Sequence, residues 1–68
     1  MKKITLTVEV EVNDDYKYIA QDAGGQWYAY TDKPTLSFDF WNEKTGRLIK
    51  LSNSNIPNSN WKETLREI

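Results

Sequence analysis

Tyr16-Lys17-Tyr18-Ile19-Ala20-Gln21-Asp22-Ala23-Gly24-Gly25-Gln26-Trp27-Tyr28-Ala29-Tyr30-Thr31 is the stretch that decides the fold class. Two runs rich in aromatic residues flank a pair of glycines. Such side chains suit a pleated, partly buried surface. Adjacent glycines supply the positive φ that a tight reversal needs. The pattern predicts strands over 16–22 and 26–31, paired antiparallel. On the second of these, Trp27 and Ala29 take one face while Tyr28 and Tyr30 take the other.

Toward the N-terminus, Ile4, Leu6, Val8, Val10 and Val12 alternate with Thr5, Thr7, Glu9 and Glu11. Strict period-two alternation predicts one long, half-buried strand over 4–12. Asn13-Asp14-Asp15 then reads as a turn. Toward the C-terminus, Asp32-Lys33-Pro34 ends the ladder, because proline cannot donate to it. Leu36, Phe38 and Phe40 alternate with Ser37 and Asp39 as a fourth strand. Asn42-Glu43-Lys44-Thr45-Gly46 reads as a hairpin loop with its glycine in the left-handed region. Residues 47–51 form the fifth strand. The Ser- and Asn-rich segment 52–60 reads as a spacer loop in preference to a recognition loop.

Asn60 is placed to cap a final short helix, with Glu63 completing a capping-box-like pair. Trp61, Leu65 and Ile68 would share one helical face and dock it on the sheet. The expected fold is mainly β (α+β). It is a five-stranded antiparallel meander or small barrel with a short C-terminal helix, in one domain spanning 1–68.

Composition narrows the function. A chain of 68 residues buries only about 60% of the surface its unfolded form exposes. There is no cysteine or histidine, so disulfides and the usual zinc ligands are excluded. Three Trp, four Tyr and two Phe carry the core. Net charge is −1, from nine basic and ten acidic side chains. That balance argues against a nucleic-acid or membrane partner held by charge alone. The opening Met1-Lys2-Lys3 could begin a signal peptide, but a strand is the expected reading, since Glu9 and Glu11 interrupt the apolar run. A cytoplasmic protein is expected.

Catalysis has little to work with. Glu9 and Glu11 are a carboxylate pair on one strand face, but no apolar pocket is implied that would tune either. Asp14, Asp15 and Asp22 lack the spacing of a calcium loop. Gly24-Gly25 lacks the lysine, hydroxyl and helix of a phosphate loop. No catalytic residue, metal or cofactor is therefore expected.

The aromatic residues carry the functional reading. If one sheet face is core, the other shows rings. Tyr28, Tyr30 and Trp41, beside Arg47 and Lys50, form the candidate binding set. Such a set could anchor a protein, grip a nucleotide or stack single-stranded bases. The competing reading covers both faces and uses every ring for stability. Likewise Lys44, Arg47 and Lys50 read first as a solubilising group and second as a phosphate site. A regular strand over 4–12, if it lies at an edge, could also pair with its copy in a homodimer.

Tyr18-Ile19-Ala20-Gln21-Asp22, Gly25, Trp27-Tyr28-Ala29-Tyr30, Lys33-Pro34, Trp41 and Trp61-Lys62-Glu63-Thr64-Leu65 follow one another in a distinctive order. In this the chain resembles small accessory proteins of tailed bacteriophages and prophages of enteric bacteria. The resemblance implies a protein that binds a host component, as an inhibitor or in counter-defence. A nucleotide-sequestering role is the alternative, and single-stranded nucleic-acid binding the second. The resemblance defines no catalytic or binding residue.

Overall fold

The computed structural model describes residues 1–6, 9–51 and 57–68. Eight short strands occur: β1 (Lys2–Thr5), β2 (Glu9–Val12), β3 (Tyr18–Gln21), β4 (Trp27–Tyr30), β5 (Thr35–Leu36), β6 (Trp41–Asn42), β7 (Leu48–Lys50) and β8 (Arg66–Glu67). They form three antiparallel sheets. The central one has the order β7-β4-β3-β8, and the hairpins β1-β2 and β5-β6 are separate.

The β3–β4 hairpin is the centre of the molecule, in the register Gln21↔Trp27 to Tyr18↔Tyr30. Its reversal follows from the glycines. The Gly25 N–H donates to the Asp22 carbonyl at 2.9 Å, and the Asp22 N–H donates to the Gln26 carbonyl at 2.9 Å. Gly25 has φ 101°. A turn followed by one residue at positive φ is the usual three-residue hairpin loop.

Both faces of this sheet are covered. Ile19 and Ala29 on one face pack with Ile4 and Val12 of the β1–β2 hairpin, and Trp27, Leu51 and Ile68 close around them. Ala20 and Tyr30 on the other face pack with Trp41 and Trp61, joined by Tyr18, Tyr28 and Leu65. Apolar residues at both parities of β3 and β4 are what a strand buried on two sides requires.

Several expectations need correction. Residues 4–12 are not one strand: Thr5 pairs with Glu9 and Lys2 with Val12, so the chain doubles back. Thr7 and Val8, which the long strand included, lie outside the described residues. A homodimer through one long 4–12 edge therefore loses its basis, and the edges of the central sheet are β7 and β8. Residues 36–40 are a second doubling. Leu36 pairs with Trp41, and the Ser37 N–H donates to the Phe40 carbonyl at 2.9 Å. Phe38 and Asp39 form the tip, and no described non-glycine residue has positive φ. Hairpin tips without positive φ splay their strands, which accounts for strands of only two residues.

The 42–46 segment is a connection between sheets and not a hairpin loop, because β6 pairs with β5 while β7 pairs with β4. Its glycine is where the sequence put it, with Gly46 at φ 80°. A Cβ there would collide with Thr31 Oγ1 and Asp32 Oδ2. Of the spacer 52–60, residues 52–56 fall outside the described residues.

The C-terminal helix is a single 3-10 turn, Trp61–Glu63, and Asn60 makes no side-chain cap hydrogen bond. A short strand takes the rest of the proposed helix, with Arg66 opposite Ile19 and Glu67 opposite Tyr18. Thr64 replaces the ladder just beyond it. Its hydroxyl accepts from the Gln21 N–H at 2.8 Å and donates to the Trp61 carbonyl at 2.7 Å. Backbone pairing to β3 thus wins over a lone turn of helix, which cannot sustain itself. Among the described residues the sheets do not close into a barrel.

Candidate binding cleft

A cleft of about 260 Å³ opens where the β5–β6 hairpin meets the aromatic face of the central sheet. Tyr28 and Tyr30 of β4 and Leu48 of β7 form its floor. Phe40, Trp41, Asn42 and Glu43 come from the β6 side, and Asp22 from the β3–β4 turn. Register fixes this arrangement. Tyr30 lies opposite Leu48 and Tyr28 opposite Lys50, so these four side chains share one face.

The rings are held by one another and by the backbone. The Tyr28 and Tyr30 centroids are 6.5 Å apart and tilted by 43°. Trp41 and Trp61 meet edge to face at 6.5 Å and 87°, and the Trp41 Nε1–H donates to the Trp61 carbonyl at 3.4 Å. The Trp41 backbone N–H donates to Asp22 Oδ1 at 2.9 Å, tying the second hairpin to the central one.

The field inside the cleft is negative. Asp22 is pushed above the ordinary carboxylate value of 3.8, first by burial and then by the Asp39 charge, against the Trp41 N–H that favours its ionised form. The Tyr30 hydroxyl is pushed well above the usual phenol value, first by burial and then by Asp22, Tyr28 and Glu43. Burial is the larger cause of both shifts, and the neighbouring carboxylates add to it.

The structure divides the predicted binding set. Tyr28, Tyr30 and Trp41 do meet in this cleft. Tyr30 is only 1% exposed and Trp41 8%, so both are largely packed away and leave little open surface for stacking. Arg47 and Lys50 do not line it. The Arg47 guanidinium instead bonds Asp15 at 3.1 Å and lies 5.8 Å from the Tyr16 ring centroid. Lys50 is exposed on β7. A nucleotide phosphate in the cleft would therefore face Asp22 and Glu43 and not two cations. The cleft is also smaller than the roughly 300–1,000 Å³ usual for small-molecule sites.

Sequence reasoning missed Asp22, Phe40, Asn42, Glu43 and Leu48 as neighbours of the rings. Large apolar side chains stay exposed on the β5–β6 hairpin and on β7, where Ile49 on the opposite face is as exposed as Leu48. Phe38 is 93% exposed, Leu36 49%, Leu48 45% and Phe40 42%. Elsewhere, Glu9 and Glu11 are exposed on β2, and Asp14 and Asp15 on the turn after it. Among the described residues no group of three or more acidic side chains could hold a metal ion, and no helix is long and apolar enough to cross a membrane. Comparison with protein-family models, curated proteins and solved structures finds no match to this chain.

Proposed function

We propose that this is a phage-type accessory protein that binds a host protein without catalysis, through the cleft and its apolar rim. One observation carries the reading: Phe40 and Leu48 line the aromatic cleft and remain exposed, as do Leu36 and Phe38 on the same hairpin as Phe40, while the rest of the aromatic side chains are at least half-buried. A domain this small needs its apolar surface for folding. Leaving four large side chains in water on one hairpin and the adjoining strand is the mark of a contact surface. Aromatic anchors near the middle of such a surface are where binding energy concentrates. The phage assignment rests on the residue pattern from Tyr18 to Leu65, and inhibition or counter-defence is the role that pattern implies.

The test is affinity capture from lysate of an enteric bacterium. Wild type is compared with a Phe38→Ser/Leu48→Ser double variant. Both changes are at exposed positions, so the fold should survive, and circular dichroism checks that. A host protein retained by the wild type and lost with the folded variant supports the reading. Equal retention by both, or none by either, removes it.

A further inference from the structure

We infer that the cleft receives a basic side chain of the partner, an arginine in preference to a lysine. This rests on the reading of the same surface as a protein-binding site. Three independent features point to it. The cleft is lined by the rings of Tyr28, Tyr30, Phe40 and Trp41, of which Tyr28 and Phe40 are the more exposed, and a cation over the face of such a ring gains from its quadrupole. The charged groups in the lining, Asp22 and Glu43, are both carboxylates, and no lysine or arginine joins them. The volume, about 260 Å³, suits one long side chain and is small for a cofactor or nucleotide.

Arginine fits this chemistry better than lysine. Its guanidinium is planar, stacks on aromatic rings, is weakly hydrated and offers several N–H donors to carboxylates. One oxygen of Asp22 is occupied by the Trp41 N–H. Its other oxygen and the Glu43 carboxylate accept no hydrogen bond among the described residues and can take a donor fork. Around the cleft, Phe38, Phe40 and Leu48 would hold the apolar stem and neighbouring residues of the partner.

The experiment uses the full chain, labelled with 15N, and three probes added separately: N-acetyl-arginine methylamide, the lysine equivalent and the neutral citrulline equivalent. Citrulline matches arginine in shape and lacks its charge. The expected result is saturable shifts at the amides of Tyr30, Trp41 and Asn42 and at the Trp41 indole. Arginine should saturate at lower concentration than lysine, and citrulline should not saturate below about 50 mM, beyond the millimolar range expected for a single side chain. Asp22→Asn/Glu43→Gln should weaken the arginine probe by about tenfold or more, as loss of charged hydrogen-bond partners does. The spectrum of that variant also reports whether it is folded. Lys3→Gln, outside the cleft, should change nothing.

Equal shifts with arginine and citrulline, an order that places lysine first, or no shift with arginine up to about 50 mM would overturn the inference. If that happens while capture of a host protein still depends on Phe38 and Leu48, only the nature of the anchor is wrong. If capture fails as well, the protein-binding reading falls with it.

Discussion

The two faces of the central sheet are made of the same two strands but carry different chemistry. Ile19 and Ala29 meet the β1–β2 hairpin in a mainly aliphatic layer, with Ile4 and Val12 buried in it, Trp27 at its margin and Ile49 beside Ala29 left half-exposed. Ala20 and Tyr30 meet Trp41 and Trp61 in an aromatic layer that leaves a cleft and draws a carboxylate into its wall. Aliphatic side chains fill space densely and leave no polar group to satisfy. Rings pack at angles, carry polar edges and leave gaps. One face is therefore suited to holding the domain together. The other carries the surface proposed for binding, and a trade of stability for such a surface is usual at binding sites.

The largest effect expected from this contrast is on the aliphatic face. Ile19 is fully buried, and Ile19→Ala should cost about 2–5 kcal/mol, from lost transfer energy and the cavity left behind. In so small a domain that is enough to unfold much of the population at room temperature. On the open side, the exposed Phe38 should be replaceable by Ser within about 0.5 kcal/mol. Urea unfolding of the two variants gives both numbers. Similar losses for both would mean that the rim is structural and that the two-face division is wrong.

The same contrast shows what could be read in advance. The β3–β4 hairpin was legible because turn chemistry and side-chain class agree there: Gly25 sits at φ 101° between runs that are apolar on both parities. The doubling of 4–12 was hidden by its own regularity. Ile4 pairs with Val10 and Lys2 with Val12, so even positions meet even positions. One long strand and a hairpin of this register then share the same period-two pattern. In 35–42 the register is odd, with Leu36 opposite Trp41. The alternation of Leu36, Phe38 and Phe40 therefore carried no information about a common face. The rings of the site were legible because large aromatics are few. Asp22 and Glu43 were not, because turns and connections deliver them. Arg47 was misplaced because nearness in sequence to ring-bearing strands is not nearness in space, and its partner is Asp15.

A smaller effect should separate the faces at their common edge. Thr64 closes β3 where strand pairing stops, accepting from the Gln21 N–H and donating to the Trp61 carbonyl. It also holds Trp61, and through it the ring against which Trp41 rests. Thr64→Val keeps the shape and leaves the Gln21 N–H without that acceptor, at a cost of about 1–3 kcal/mol. Because the aromatic layer depends on this contact and the aliphatic layer does not, hydrogen exchange should quicken first at the amides of Trp41 and Asn42. Uniform acceleration over both layers would show that the faces open together.

The smallest effect has the most specific sign. Asp22 lies near Asp39 and the Tyr30 hydroxyl, and shares the cleft lining with Glu43 and Tyr28, with the Trp41 N–H as its favourable contact. Its pKa is raised on folding, chiefly by burial, so the folded chain holds that proton more tightly than the unfolded one. The resulting stabilisation is fully present below the ordinary value of 3.8 and is lost as pH rises through the folded value. Asp22→Asn keeps an oxygen for the Trp41 N–H and removes the charge. The variant should therefore match the wild type in strong acid and become the more stable of the two as pH rises toward neutrality, by thermal or urea unfolding across that range. That outcome would accord with the proposed role of the carboxylate as an acceptor for a bound cation. If Asp22→Asn is instead less stable at neutral pH, the carboxylate is a structural tie between the hairpins, and the open face has given up nothing for its charge.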